Sequence, residues 1–213
     1  ILLCTVPWLL TGLADAAPPE SARLQWIKST PTPEPRAGYA AGVLDDKLVI
    51  AGGTYWDGTP GNWTMKRFSA SVHAFDAATE SWERLPDTPT PIGYAAFTVV
   101  NNRLFVMGGY TGSGESRKIF TLEKKGDSHI WSIVGDLPEP RLFAQAVTVG
   151  SSIYLLGGTR QFEPYDEIGT CCTSKTATNS LMVMDTDQPE EGWRSLAPFP
   201  GGKRWLSPVA TDR

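Results

Sequence analysis

Three apolar runs in this chain end on paired glycine: Leu48–Gly53 (LVIAGG), Leu104–Gly109 (LFVMGG) and Ile153–Gly158 (IYLLGG). The second glycines, at 53, 109 and 158, lie 56 and 49 residues apart, and 16 residues before each leading glycine stand Arg36, Ile92 and Arg141. Self-similarity at such a period marks supersecondary units that cannot bury an apolar face alone and must stack on one another.

Each unit has the same order. A Pro-rich turn leads into a small, apolar strand (GYAAGVL, GYAAFTVV, FAQAVTV), a polar turn (DDK, NNR, GSS) and the Gly-Gly strand. A variable loop comes next, then a third strand (SVHAFD, KIFTLE, LMVMD) and a tryptophan, Trp82, Trp131 or Trp193, that opens a fourth. The runs are too short for helices and are bounded by turn residues, so they read as strands buried on both faces. Paired glycines admit positive φ and let a neighbouring backbone approach a strand end. The tryptophan fills a wedge between adjacent units. With 21 Gly, 17 Pro and 8 Trp among 213 residues, the composition suits many turns joining short strands.

Four short strands per unit of this length predict an all-β fold, a β-propeller blade repeated. The Arg-led first strand, the apolar-Gly-Gly second, the Asp-ended third and the Trp-bearing fourth resemble the kelch repeat, from about Trp26 to the end of the chain. Residues 35–85, 91–136 and 140–197 read as three complete four-stranded blades, with 203–213 as the start of a further one and 17–34 as a closing outer strand and linker. The resemblance implies a ring of six or seven blades, so the chain reads as a fragment of a larger propeller. The fold by itself does not select between enzyme and binding module.

Residues 1–16 are an uncharged apolar stretch ending in Ala14-Asp15-Ala16, which reads as a clipped secretory signal peptide followed by a mature chain from Ala17 or Pro18. Pro7 interrupts a run too short to span a bilayer, so no transmembrane span is expected after cleavage. The expected location is secreted or periplasmic. Formal net charge is −4, which supplies no basic surface for a nucleic-acid backbone.

Up-and-down strand order places the loops between second and third strands on one face with the linkers between blades. Functional residues on a rigid scaffold concentrate in such loops. The first loop carries Tyr55, Trp56, Asp57, Trp63, Lys66 and Arg67; the second runs YTGSGESRK from Tyr110; the third, from Thr159 and Arg160, is the longest. Aromatic faces beside charged groups suit a carbohydrate, stacking on its apolar side and bonding its hydroxyls. Self-packing aromatics on solvated loops are the plain alternative, and an extracellular protein ligand would use the same face. Arg36, Arg141 and Arg204 recur where innermost strands begin. They either hold a ligand carboxylate or cap their own blades on linker carbonyls; Ile92 takes this place in the second unit.

Within the kelch class, AGYAAGVLDDKLVIAGG and GYAAFTVVNNRLFVMGGYTGSGESRK look like the sialic-acid mutarotase (N-acetylneuraminate epimerase) group. That resemblance implies an acid-base Glu and a carboxylate-binding Arg after the second strand. Thr54, Tyr110 and Thr159 stand directly after the paired glycines, and Glu115 with Arg117 lies in the right loop at a different spacing. Galactose oxidase, another kelch-type comparison, needs copper ligands. The two histidines, His73 and His129, form no ligand-like cluster, so neither a metal nor another cofactor is expected. There is no phosphate-cradling glycine loop and no serine nucleophile elbow. Cys171 and Cys172 adjoin in the third loop, where adjacent Cα atoms about 3.8 Å apart make a vicinal disulfide strained; two thiols, or pairing elsewhere, are the alternatives. Asn62-Trp63-Thr64 is a glycosylation sequon if the protein passes through a eukaryotic secretory route.

Overall fold

A computed structural model describes residues 25–59, 62–162 and 176–204, with only the backbone of Trp63. Among them there is no α-helix, and the strands group into three four-stranded antiparallel sheets, each a blade. In the first blade β1 (Ala40–Leu44) and β2 (Lys47–Ala51) are followed by a hairpin of β3 (Thr54–Thr59) and β4 (Asn62–Phe68), then β5 (Val72–Asp76) and β6 (Ser81–Leu85). Its order is β1-β2-β5-β6, with the hairpin as a separate two-stranded sheet. The second blade is β7 (Ala96–Val100), β8 (Arg103–Met107), β9 (Lys118–Lys125) and β10 (Ser128–Asp136); the third is β11 (Gln145–Val149), β12 (Ser152–Leu156), β13 (Leu181–Asp185) and β14 (Arg194–Ser195).

Two details differ from the sequence reading. Residues 54–59 and 62–68, read there as part of a variable loop, pair as β3 and β4 in a hairpin. The segment is rich in β-prone aromatic and Thr residues, and Gly58 at φ +99 absorbs a register shift between Trp56 and Gly58. The tryptophans also do not each open a fourth strand. Trp82 is second in β6, Trp131 is fourth in β10, whose ladder with β9 runs on to Ser128, and Trp193 precedes β14.

The blades pack face to face. Leu44, Val49 and Ala51 of the first meet Leu104, Val106 and Phe120 of the second in one core. Phe105, Met107 and Ile119 meet Ile153, Leu155 and Met182 in the next. Each strand points alternate residues at opposite neighbours, which is why these strands are apolar almost throughout. The turns between first and second strands use Asp45-Asp46 and Asn101-Asn102, all four at positive φ, as tight hairpin turns require.

The paired glycines make the joint between blades. A Cβ on Gly52 would lie 2.4 Å from the Ile92 carbonyl oxygen, and one on Gly108 2.3 Å from that of Arg141. The following glycine then donates its N–H to the same oxygen, Gly53 to Ile92 at 2.7 Å and Gly109 to Arg141 at 2.6 Å. Gly158 makes the same bond to Arg204 at 2.9 Å, so Arg204 stands in the register of Ile92 and Arg141. Each glycine pair thus reads the backbone of the next unit, and only glycine fits.

Candidate ligand-binding face

At the start of each innermost strand the chain bridges back to the residue after its paired glycines: Ala37 to Thr54, Gly93 to Tyr110 and Leu142 to Thr159. This brings the linkers and the second loops to one face, as the strand order predicted. Arg36 and Arg141 sit just beneath it, their side chains only 1% exposed. Arg36 donates to the carbonyls of Gly52 (3.0 Å) and Ser71 (2.7 Å) and pairs with Glu34 at 2.7 Å. Arg141 pairs with Glu139 and donates to the Ser180 hydroxyl at 2.8 Å. Both guanidinium groups are thereby used within the blade, on carbonyls, hydroxyls and a carboxylate two residues before.

The local electrostatics are set by this burial. Desolvation pulls the pKa of both arginines below the ordinary value, opposed by Glu34 and Glu139. Glu34 is held low, first by the hydrogen bond from the Ser71 hydroxyl, against burial, with the Arg36 charge adding to it. Burial would raise Glu139, but hydrogen bonds from Arg160 and Arg141 outweigh it and its pKa falls. His73, with Nδ1 3.2 Å from Arg36 Nη2, is pushed down by burial and then by the Arg36 charge.

Above the arginines lies a cluster of rings drawn from all three units. Tyr94 packs on Phe143 with centroids 4.4 Å apart, and on Phe162 at 5.9 Å; Tyr110 meets Phe162 at 4.8 Å and Phe68 at 5.3 Å. Two of these rings are carried on unusual backbone. Gly38, Tyr94 and Phe143 occupy one position in successive units, two residues after Arg36, Ile92 and Arg141, and have φ of +62, +60 and +54. Left-handed φ is ordinary for glycine and an outlier for a bulky ring. The three are also joined in series, Tyr94 N–H donating to Gly38 O at 2.8 Å and Phe143 N–H to Tyr94 O at 2.9 Å. The Tyr94 ring covers Gly38, where a Cβ would fall 2.6 Å from it.

The other expected site residues are spread over the face and around it. Tyr55 and Trp56 are 42% and 43% exposed on the hairpin, beside the Asp57–Arg67 ion pair at 2.6 Å. Trp63 is on β4 opposite Gly58. Arg160 binds Glu139, and exposed Arg204 donates its backbone N–H to Thr178 O at 3.1 Å. Glu115 accepts the Phe162 amide at 2.9 Å, tying the second loop to the third, whereas Arg117 donates to the Leu137 carbonyl at 2.7 Å. Glu115 and Arg117 thus have separate partners. His129 lies 3.5 Å from Asp45 on the opposite side of the blade, by the first-second turns. Among the described residues no three His, Cys, Asp or Glu form a metal-binding group; Cys171 and Cys172 lie outside them. No described helix is long and apolar enough to cross a membrane.

Sequence reasoning missed Phe68, Tyr94, Phe143 and Phe162. The signal was available for two: alignment on Arg36, Ile92 and Arg141 sets Gly38, Tyr94 and Phe143 in one column. The matching strings GYAA at 38–41 and 93–96 conceal it, because they are one residue out of register. Tyr39 and Tyr94 are therefore not equivalent.

The chain is 27% identical over 141 residues to beta-scruin of Limulus polyphemus, covering 63% of this chain and 14% of that protein. It is 28% identical over 169 residues to an F-box/kelch-repeat protein of Arabidopsis thaliana, covering 76% and 43%. The chain thus spans less than half the length of these curated relatives. The solved structure of YjhT superposes with a TM-score of 0.65 at 16% identity, covering 84% of this chain and 57% of that one, a likeness of fold. The KLHDC2/KLHL20/DRC7 Kelch-repeats domain model matches residues 20–198. With three blades in the register of that repeat, the chain belongs to this kelch-repeat family, and its fold is a kelch β-propeller.

Proposed function

We propose that this protein is a binding module that takes a segment of another protein on its loop face, against the rings of Tyr94, Tyr110 and Phe162. The observation that carries the reading is the pair Tyr94 and Phe143, large side chains held at φ +60 and +54. Left-handed backbone costs about 1–2 kcal/mol for a residue with a Cβ, and such outliers concentrate at functional sites. Gly38 fills the same position in the first blade, so the fold itself does not require a ring there. Clustered tyrosine and phenylalanine rings are suitable anchors for a protein partner, and kelch propellers are a protein-interaction scaffold type.

The test is a displayed peptide library run beside a glycan array, with wild type and Tyr94→Gly, which relieves the backbone while removing the ring. Peptides selected on the wild type should bind the variant about 2 kcal/mol, or roughly thirtyfold, more weakly. Equal binding by folded Tyr94→Gly would refute the proposal.

A second reading, a carbohydrate ligand in a secreted or periplasmic setting, is favoured by the exposed rings of Tyr55 and Trp56 beside Asp57 and Arg67. It predicts glycan signal without peptide signal. Its enzymatic form, a sialic-acid mutarotase using Glu115 and Arg117, predicts faster anomer exchange of N-acetylneuraminate by proton NMR, abolished by Glu115→Gln.

A further inference from the structure

The β3–β4 hairpin brings Lys66 to the same rings. Its ammonium lies 5.4 Å from the Trp56 ring centroid, 4.9 Å from Tyr94 and 5.8 Å from Phe162. These rings come from three places in the fold: Trp56 from the hairpin, Tyr94 from the start of the second blade, and Phe162 from the third blade's loop. A cation within about 6 Å of a ring centroid is attracted by the ring quadrupole, more strongly when it is desolvated. Lys66 is half-buried, and Trp56 is its cross-strand partner, so the hairpin supplies both one wall of the cage and its occupant.

Several other lysines of the propeller, Lys47, Lys118 and Lys125, pair with carboxylates at 2.8, 3.1 and 2.9 Å. Lys66 has no such ion pair among the described residues. Neighbouring Asp57 is engaged by Arg67 at 2.6 Å, and Glu115 by the Phe162 amide at 2.9 Å. Among the described residues, the charge of Lys66 is met by ring faces. Two of the walls are set by packing between blades, Tyr94 being fixed against Phe143 and over Gly38 and Phe162 against Tyr110, whereas the occupant is a flexible side chain on a four-carbon stem. A preformed cage filled by a flexible cation is a site for an ammonium group that is at present supplied internally.

We infer that Trp56, Tyr94 and Phe162 form a receptor for an ammonium group carried by the ligand, a lysine side chain or its methylated form, with Lys66 as the built-in competitor. This rests on the loop-face binding proposed above and narrows it to a ligand chemistry. The competitor lowers apparent affinity by the fraction of molecules in which it occupies the cage. Removing it therefore raises affinity, whereas a Lys66 that only pinned the hairpin would lower affinity on removal.

The probe is tetramethylammonium chloride, titrated into the full-length protein against sodium chloride of equal ionic strength. Binding is read by NMR from the probe methyl protons and from the Trp56 indole N–H, assigned with Trp56→Phe. Lys66→Ala is expected to bind the probe at least tenfold more tightly than wild type, and Tyr94→Gly in that background to abolish the gain. Lys66→Met, which leaves a long chain in the cage, is expected to gain less. Folded Lys66→Ala with no gain overturns the inference. Should Lys66→Ala not fold, the wild-type Lys66 ε-methylene protons serve instead: ring currents hold them upfield, and the probe must return them toward solvent values; failure to move overturns the inference. Peptide binding that ignores lysine content and Lys66 sinks the cage and leaves loop-face binding standing, whereas absence of any ligand on this face sinks both.

Discussion

Gly108→Ala tests the physical account of the repeat. Gly108 has φ +70, and a Cβ there would lie 2.3 Å from the Arg141 carbonyl oxygen. Left-handed backbone costs alanine about 1–2 kcal/mol. Moving the oxygen about 1 Å to relieve the clash breaks the bond it accepts from Gly109 N–H at 2.6 Å, and a buried polar group left unpaired costs about 1–3 kcal/mol more. Gly126 is the control. It has φ +61 in the β9–β10 turn, and nothing lies within 4 Å of its Cβ position. Both substitutions restrict the unfolded chain alike, so their difference isolates the joint between blades, at about 2 kcal/mol. For a chain of this size that is a gap of roughly 4–8 °C in Tm. The assay is thermal and urea unfolding of both variants in the full-length protein. Destabilisation equal within about 0.5 kcal/mol would refute the claim that the glycines are there for the approach of the neighbouring backbone.

Arg141→Ala, which leaves Glu139 with Arg160 alone, should cost about 3 kcal/mol in urea unfolding; a loss below about 1 kcal/mol would mean the buried guanidinium is no cap. His73 titrates below its ordinary 6.5, so the folded protein binds less proton than the unfolded one, and stability should fall as pH drops through and below that value. His73→Gln should flatten this limb of a Tm-against-pH curve, leaving a lower one from Glu34 and Glu139, which both sit below their ordinary 4.5. The signal-peptide reading predicts that the protein expressed in a secretory host is recovered with Ala17 or Pro18 as its first residue by N-terminal sequencing; retention of residues 1–16 would refute that reading.

Much of the blade architecture was legible because its determinants are local. Run length and turn residues marked the strands, and Asp45-Asp46 and Asn101-Asn102 marked the tight turns. The β3–β4 hairpin was harder to read, since its bulge at Gly58 breaks the alternation that identifies a strand pair. Arg36 and Arg141 could be placed by their repeat position, where innermost strands begin. Their surroundings depended on Glu34 and Glu139 turning back on them, and on residues such as Ser180, 39 positions from Arg141.

The binding face shows where local reading stops. Tyr55, Trp56 and Tyr110 could be named from their loops. That Phe68, Tyr94, Phe143 and Phe162 join Tyr110 in one cluster depends on which backbone φ each blade start adopts and on three blades packing at once. The sequence by itself determined the repeat, the blade strands and the need for paired glycine, because hydrogen-bonding period, chain stiffness and the absence of a Cβ act over a few residues. Only the tertiary structure decided that Lys66 meets rings 28 and 96 residues further along, at Tyr94 and Phe162, because that contact exists only once blade stacking has fixed where the loops emerge.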